Sequence, residues 1–543
     1  MYIRMKTSKK AKYPTLQIVE GIREGKKVRQ RTVAHLGVVK GKKDLEKLKD
    51  LADKLIQRLE MEGLEIDPKI ELKNLKHKNT VYDGFGIVVD RLMALTGFDK
   101  IIQSAQGKRQ FNLQEIVNLM LVQRFDLPSS KLRTCERQEE HGFNGIDLQH
   151  LYRSMDAIAP LDGAIQKQAF DIVCKASGGL VDCFFFDVTT LYFESITQDD
   201  LRDFGFSKDQ KHHSVQVVLA LVVDSQGLPI AYEVFKGNLA ETKTLIPVFE
   251  KLRSRFSINN VTVVCDRGLA SKPNIEALQG AQFSFVIAAK LRSMSKKLKI
   301  NDLSAYQFLS GQEALPEEER VRFRTVKHPQ YAETQLIVTY SPSRARKDRT
   351  DRERLIEKLR QKLSGSSNET SIKKVVSNSG YKKFTNVKDG SLITLNERAI
   401  EEDTEWDGFH GLAVSNSAGL SVGQALARYR DLWHVEEAFR IAKCTLKTRP
   451  IFHWSAQRIK THVLLCFINL FLERYLEWLL GQGNVHLTPD RIRQALSQVH
   501  TTFFEVESTK HGGEMQSILS PDAEKIFKTL GLPIKRETYE CCA

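Results

Sequence analysis

The chain has 543 residues, more than one hydrophobic core accommodates, so several domains are expected. Hydrophobic residues make up 41% and charged residues 27% of the sequence, which excludes a disordered chain, a collagen-like repeat and a small disulfide-stabilised fold. The 82 Lys and Arg outnumber the 67 Asp and Glu and leave a net charge of +15, which favours a polyanionic partner, nucleic acid before acidic lipid.

The first 43 residues form a basic segment. They contain thirteen Lys and Arg and only two acidic residues, so this segment carries +11 of the net charge. Residues 13–37 are predicted to form two strands joined by a turn, followed by an amphipathic helix over 44–63. A basic hairpin suits contact with phosphates, which predicts DNA contacts at Lys26, Lys27, Arg29 and Arg31. The alternative for any one of these four residues is that it lies on a solvated basic surface without contacting DNA.

Residues 80–178 are predicted to be mostly helical. Asn112 is the expected N-cap of a helix that begins at Leu113, and residues 128–130 (Pro-Ser-Ser) interrupt the next segment. Short helices with basic residues between them suit a DNA-binding helical domain, and ordinary helical packing explains them nearly as well.

From residue 179 the pattern changes to strands. An apolar strand reaches Asp187, a hairpin follows around residues 225–227, and a second apolar strand ends at Asp266. Carboxylates at neighbouring strand ends converge, and a close pair favours a divalent cation with oxygen ligands, Mg²⁺ or Mn²⁺. An Asp that merely terminates its strand is the commoner case for either residue alone.

Residues 292–400 interrupt this domain. Strands alternate there with a highly charged helix and a polar linker, which predicts a separate β-rich module inserted into the α/β domain. Trp406, just beyond it, is either a core residue or one that stacks on an unpaired base. Two long helices are predicted at about 421–447 and 455–481, and the last 60 residues are predicted to be helical.

The first of these long helices carries the third candidate group. At 100° per residue, one face would hold a single carboxylate among two aromatic side chains and three cations: Tyr429, Trp433, Glu436, Arg440, Lys443 and Lys447. This pattern favours a carboxylate metal ligand beside phosphate-binding cations. An exposed ion pair between Glu436 and Arg440 is the alternative.

The order of Asp187 and Asp266 at strand ends and Glu436 on a helix resembles the RNase H-like core of DDE transposases. The long gap before Glu436 is similar to the insertion-sequence branch, whose helix carries the signature Tyr-x2-Arg-x3-Glu-x6-Lys. Tyr429, Glu436 and Lys443 match this signature in register, whereas Leu432 occupies the Arg position. Further segments that look like the family are FFFDVTTLYFES, GFSKDQKHH, FKGNLAETKTL, CDRGLAS and RPIFHWSAQRIKTHVLLCFINLFL.

The resemblance covers roughly residues 1–500 and implies an α/β fold. An RNase H-like mixed sheet with helices would be interrupted by the β-rich insertion and preceded by the basic β-hairpin and a helical DNA-binding domain. The expected domains are the hairpin with its helix (1–79), the helical domain (80–178), the first part of the catalytic core (179–291), the insertion (292–400), the second part of the core (401–482) and a C-terminal helical region (483–543).

The resemblance further implies a transposase of an insertion sequence that binds the terminal inverted repeats, cuts there and joins the ends to target DNA. Asp187, Asp266 and Glu436 would hold two Mg²⁺ or Mn²⁺ ions. The DNA contacts near them would be Tyr429, Arg440, Lys443 and Lys447. A homodimer is expected on DNA, because two ends must be held together. The alternatives are a catalytically inactive DNA-binding protein derived from a transposase and an RNase H-like nuclease without strand transfer.

Cysteine usage and apolar runs predict the compartment. The eight cysteines lie mostly in apolar runs, as Cys265 and Cys466 do, which is typical of free thiols in a reducing environment. The first ten residues lack the apolar segment of a signal peptide, and the longest apolar run, 463–472, is too short to span a bilayer. We therefore expect a cytoplasmic protein without a membrane partner, and the resemblance implies a bacterial protein associated with the nucleoid.

Overall fold

The computed structural model describes residues 2–7, 13–24, 27–62, 75–179, 181–207, 211, 213–256, 261–294, 298, 300–364, 379–388, 392–506 and 512–534. The chain divides into two compact units, which are described separately here. One consists of Met1–Arg91, Leu132–Asp147 and Leu479–Ala543, and the other of Leu92–Lys131 and Leu148–Trp478.

The first unit begins with a three-stranded antiparallel sheet in the order β1-β2-β3, made of β1 (Tyr2–Lys6), β2 (Thr15–Glu24) and β3 (Lys27–Val38). The predicted hairpin is confirmed as β2 and β3, and β1 adds a third strand. The predicted helix is α1 (Lys42–Glu62). Leu16 and Ile18 alternate onto one face of β2, where they form a core with Val33, Leu36 and Ala52.

The first unit also contains a second three-stranded sheet, in the order β17-β16-β4. Its strands are β4 (Leu75–Val81), β16 (Thr501–Val506) and β17 (Gly512–Gln516). The predicted helical character of the C-terminal region is therefore wrong over two strands, because β-branched and aromatic residues at 501–504 pair with β4. Helices in or partly in this unit are α2 (Gly84–Thr96), α5 (Lys131–Glu136), α16 (Pro489–Ser497) and α17 (Pro521–Thr529).

The second unit opens with short helices, as the sequence predicts. They are α3 (Phe98–Ser104), α4 (Leu113–Asp126), α6 (Leu148–Ile158) and α7 (Asp162–Ala176). The predicted cap of α4 is confirmed, because the side chain of Asn112 accepts a hydrogen bond from the Glu115 amide (3.2 Å).

A nine-stranded mixed sheet forms the centre of the second unit, in the order β10-β11-β12-β15-β9-β8-β5-β6-β7. Strand β5 pairs in parallel with β8, and β8 with β9, whereas β6 and β7 continue antiparallel. The α/β fold with an RNase H-like sheet is confirmed, with β5 as the first strand and β8 as the fourth. The strands are β5 (Cys183–Tyr192), β6 (Gln216–Val223), β7 (Pro229–Lys236), β8 (Thr262–Cys265), β9 (Ser284–Ala288), β10 (Gln307–Phe308), β11 (Arg322–Lys327), β12 (Thr334–Tyr340) and β15 (Phe409–Ser415).

The central strands are apolar along their whole length because helices cover both faces. On one face, Phe249 of α8 (Leu245–Phe256) packs against Phe184 and Phe186, with ring centroids 6.5 and 5.7 Å apart. On the opposite face, His434 of α14 (Trp433–Arg440) lies 6.2 Å from the ring of Phe185. The sheet thereby fixes the position of α14. The short α9 (Lys272–Gly280) connects β8 to β9.

The insertion is not a separate body, contrary to the sequence-based expectation. Strand β15 pairs antiparallel with β9, and β12, β11 and β10 extend the same sheet, because β9 would otherwise leave an open edge. The segment between β12 and β15 leaves the sheet, and its core contains Leu359, Tyr381 and Phe384. Its elements are α10 (Pro342–Ser364), α11 (Ser379–Lys382), β13 (Thr385–Lys388), β14 (Leu392–Leu395) and α12 (Glu397–Thr404).

The chain then continues through α13 (Val422–Arg430), α14, a π-helical turn (Ile441–Thr445) and α15 (Ala456–Gln482). Trp406 packs into an apolar cluster with Phe409, so the core alternative holds for this residue. The cysteines within the described ranges are free thiols. Among the helices of these ranges, none combines the length and apolarity needed to cross a bilayer.

Candidate active site

The two predicted aspartates lie side by side on adjacent strands. Asp266 directly follows the end of β8, as predicted, whereas Asp187 lies in the middle of β5, which continues to Tyr192 because its pairing with β6 extends beyond the end of β8. The parallel register pairs Phe186 of β5 with Cys265 of β8, so the next residues along the two chains are Asp187 and Asp266. Neighbouring strands are about 4.8 Å apart. The structure therefore brings these two carboxylates to the same level of the sheet, as the strand pattern predicts.

Asp187 points to the face that α14 covers. Side chains alternate along a strand, and Phe185, two residues earlier, packs against His434 of α14. Asp187 is half-buried and Asp266 is exposed, so the pair borders solvent while the strands beneath are closed on both sides. Substrate can therefore approach the carboxylates without the sheet opening.

Tyr429 at the end of α13 joins the site directly. Its hydroxyl donates a hydrogen bond to Asp266 Oδ1 (3.3 Å). Burial, followed by the nearby Asp266 carboxylate and the hydrogen bond to it, raises the pKa of Tyr429 far above its ordinary value, and the charge of Glu436 adds to this. The hydroxyl therefore remains protonated and acts as a donor, and the Glu436 carboxylate lies near enough to influence it.

His410 of β15 is a neighbour that sequence reasoning missed. Its ring lies 5.1 Å from the Tyr429 ring. Burial, together with the cations Arg344 and Arg267, lowers the pKa of His410 to about 4, so the ring is neutral at physiological pH. Nothing in the local sequence pattern marks this side chain.

The predicted continuous helix over 421–447 is wrong, because the chain winds unevenly there. The Leu432 amide bonds to the Tyr429 carbonyl (3.2 Å), a tight i→i+3 turn that separates α13 from α14. Further on, the Leu446 amide bonds to the Ile441 carbonyl (2.8 Å), the wider spacing of a π-turn. The rotation per residue is therefore not a constant 100° along this segment. The side chains predicted to share one helix face, from Tyr429 to Lys447, do not all lie on one face.

The cations of this segment have separate surroundings. Arg440 is exposed and pairs with Glu437 (3.0 Å), so the alternative pair with Glu436 is not the one formed. Lys443 is half-buried within the π-turn. Lys447 is exposed beyond it in a left-handed conformation (φ 44°). Of the predicted cluster, Tyr429 contacts Asp266 directly, and the charge of Glu436 acts on Tyr429.

Leu432, at the position where the signature has Arg, belongs to the core. It is 6% exposed and stands immediately before α14. Of the nearby arginines, Arg428 pairs with Asp182 and Arg440 with Glu437. The cation of the signature therefore has no direct counterpart at Leu432.

The donor set suits a hard divalent cation. Asp187 and Asp266 supply carboxylate oxygens in register, and Glu436 lies on the helix that faces them, which is the ligand chemistry of Mg²⁺ or Mn²⁺. Among the described residues, however, no group of three His, Cys, Asp or Glu side chains is drawn together closely enough to enclose an ion.

The predicted contacts of the basic hairpin belong to the first unit. Lys26 lies outside the described residues, and Lys27 begins β3. Arg29 and Arg31 are exposed on that strand, and Arg31 pairs with Glu20 across the hairpin (3.1 Å).

Two family models match parts of this chain. The family "Transposase DDE domain" matches residues 179–472, and "IS1634 family transposase, N-terminal domain" matches residues 3–65. No curated protein matches the chain.

Two transposase complexes are among the similar solved structures. A piggyBac transposase synaptic complex with hairpin DNA has a TM-score of 0.34 and 10% identity, over 77% of this chain and 80% of that chain. A Mos1 transposase paired-end complex with the left transposon end has a TM-score of 0.15 and 12% identity, over 33% of this chain and 59% of that chain. Both are distant likenesses. Because the DDE-domain match alone spans more than half of the sequence, the chain belongs to the DDE transposases of insertion sequences.

Proposed function

We propose that this transposase binds the terminal inverted repeats of its insertion sequence, cuts DNA at the ends and transfers the free 3′-hydroxyl to target DNA. One observation carries the proposal: Asp187 and Asp266 lie side by side on neighbouring parallel strands, on the side of the sheet that the Glu436 helix covers. This arrangement suits phosphoryl transfer without a covalent protein–DNA intermediate.

Asp187, Asp266 and Glu436 would hold two Mg²⁺ or Mn²⁺ ions. Ions bound there supply activation of a water or 3′-hydroxyl and stabilisation of the leaving oxygen at phosphorus. The protonated hydroxyl of Tyr429 donates a hydrogen bond to Oδ1 of Asp266 and thereby orients that carboxylate, so that Oδ2 would be available to bind a metal ion.

DNA contacts follow from the charges around this site and on the hairpin. Arg440, Lys443 and Lys447 would contact the phosphates near the scissile bond, together with Tyr429. The exposed Arg29 and Arg31, with Lys26 and Lys27, would contact the repeat DNA from the basic hairpin. Because two ends must be cut and joined together, the DNA-bound form would be a homodimer associated with the nucleoid.

The test uses duplexes that carry the ends flanking this gene and a supercoiled target plasmid. With Mg²⁺, the wild-type protein should nick at the terminus, leave a 3′-hydroxyl and join that strand to the plasmid, and EDTA should abolish both steps. Nicking without joining would identify a nuclease instead. Binding of the ends without nicking in either Mg²⁺ or Mn²⁺ would identify an inactive DNA-binding protein.

Tyr429→Phe should raise the Mg²⁺ concentration needed for half-maximal cleavage by about 10–100-fold, because a group that orients a metal ligand is lost. Saturating Mg²⁺ should restore most of the rate. Tyr306→Phe removes a comparable hydrogen bond, to the Ile300 carbonyl in the insertion, and should leave the Mg²⁺ dependence unchanged. An unchanged Mg²⁺ midpoint in Tyr429→Phe would remove this residue from the metal site.

A further inference from the structure

An exposed aromatic segment follows the Glu436 helix and lies beside the strand that carries Asp187. Along residues 451–454 the side chains alternate between buried and exposed: Ile451 is 3% exposed, Phe452 60%, His453 8% and Trp454 65%. Such alternation presents Phe452 and Trp454 on the same side of the segment. Two large aromatic side chains this exposed are unusual unless they meet a partner.

The segment is anchored beneath these side chains. The Ile451 amide donates a hydrogen bond to the Tyr192 carbonyl at the end of β5 (3.2 Å). The buried His453 ring contacts Tyr152 edge-on (6.2 Å) and lies 5.3 Å from His462 of α15. Phe452 and Trp454 are therefore presented by a fixed backbone.

A buried cation holds Trp454 in place. The guanidinium of Arg202 lies 5.0 Å from the Trp454 ring and 5.6 Å from the Phe193 ring. Its side chain is only 5% exposed and pairs with Asp199 (2.7 Å). The indole thus packs one face on Arg202 and remains mostly exposed elsewhere, which is the arrangement of a stacking platform.

Two further cations lie next to this surface. Lys211 and Arg449 both approach the ring of Tyr192, at 5.4 and 5.5 Å. Tyr192 follows Asp187 by five residues on β5, about 17 Å along the strand. A DNA strand leaving the carboxylates would reach this surface within a few nucleotides.

We propose that the platform formed by Tyr192, Arg202, Lys211, Arg449, Phe452 and Trp454 binds single-stranded DNA, with Trp454 and Phe452 stacking on unpaired bases and Lys211 and Arg449 contacting phosphates. Interleaved aromatic faces and cations match the chemistry of an unpaired DNA strand, whereas a protein-binding patch is depleted in Lys. The proposal rests on the proposed function, since it assigns the strand unpaired at a cut end to this surface.

The test measures binding of a fluorescein-labelled 12-nucleotide single strand and of its blunt duplex by fluorescence anisotropy. All measurements use the full-length protein in EDTA, so that no cleavage occurs. Trp454→Ala should weaken single-strand binding about tenfold and duplex binding less than twofold, because base–aromatic stacking is lost only with unpaired bases. Trp454→Phe should recover part of the affinity, and Phe452→Ala should weaken single-strand binding similarly.

Ile518→Ala is the matched control, because Ile518 is an exposed apolar side chain in the other unit, and it should change neither affinity. Melting temperatures of all variants confirm that each is folded. Equal single-strand affinity of wild type and Trp454→Ala would overturn the proposal, as would an equal loss on duplex. A change in oligomeric state of Trp454→Ala without DNA, at unchanged single-strand affinity, would instead make the surface an interface between copies of the chain.

The two proposals fail separately. If the platform is wrong, metal-dependent cleavage of the transposon ends persists while Trp454→Ala binds single strands normally. If the cleavage chemistry is wrong, single-strand binding in EDTA still depends on Trp454.

Discussion

Replacing any one of Asp187, Asp266 and Glu436 by its amide should reduce cleavage of transposon-end DNA at least about a thousandfold. Asp187→Asn, Asp266→Asn and Glu436→Gln preserve side-chain size but remove the charge that holds a cation, and a metal ion stabilises the transition state of phosphoryl transfer by several kcal/mol. The rate of nicking in Mg²⁺, measured at saturating protein, gives the loss. The affinity of each variant for the transposon ends in EDTA should change less than threefold, because an amide of nearly the same size as the carboxylate should not disturb the fold.

The neighbouring Glu437 supplies a matched control on the same helix. Its carboxylate pairs with Arg440 (3.0 Å) and Arg474 (3.4 Å) instead of facing the aspartates. Glu437→Gln should therefore retain cleavage within about fivefold, because it removes only partly screened ion pairs. If Glu436→Gln retains cleavage and Glu437→Gln loses it, the third metal ligand is Glu437 and not Glu436.

Gly237→Ala should lower the free energy of unfolding of the second unit by about 3 kcal/mol or more. A Cβ at this position would lie 2.0 Å from the carbonyl oxygen of Gln216 and 2.5 Å from that of Asp203, and both are backbone atoms. The Gly237 amide also bonds to the Leu201 carbonyl (3.1 Å), so the loop cannot move away without losing its own pairing. Differential scanning calorimetry should show the melting temperature of this unit falling by at least about 5 °C.

Gly163→Ala is the control for this substitution. Gly163 lies in the first turn of α7, and a Cβ there would meet no atom within 4 Å. The variant should be as stable as wild type or gain about 0.5 kcal/mol from reduced backbone entropy of the unfolded chain. Equal melting temperatures for Gly237→Ala and wild type would contradict the close contact.

The local sequence pattern predicted those parts of the fold and of the site that depend on one strand, one helix cap or one hairpin. The apolar runs before Asp187 and Asp266 indicated buried strands, and burial on both faces explains why those runs are continuous. The cap at Asn112 and the hairpin around Gly227 followed from turn and capping chemistry. The resemblance to DDE transposases supplied the link between the strands and Glu436, which no local pattern contains.

Features that depend on distant pairing or uneven winding could not be predicted in this way. The chain between Gln424 and Arg449 contains neither Gly nor Pro, so its periodicity gave no sign of the turn after Tyr429 or of the π-turn. Strand β15 joins β9 across more than a hundred residues, and no local signal encodes that pairing. Residues 451–454 are all large apolar or aromatic side chains, so the alternation of their burial became clear only with their neighbours in place.

The chain between β12 and β15 leaves the sheet and re-enters it at two residues that are paired with each other. Tyr340, the last residue of β12, pairs directly with Phe409, the first residue of β15, and the Ser341 amide bonds to the Gly408 carbonyl (3.0 Å). Residues 341–408 thus depart and return at one point, as the loop of an oversized hairpin. The two strand ends are therefore already joined in the sheet, so a shorter connection or an added domain within the loop should leave the register of β12 and β15 unchanged, provided that Trp406 stays in its cluster with Phe409.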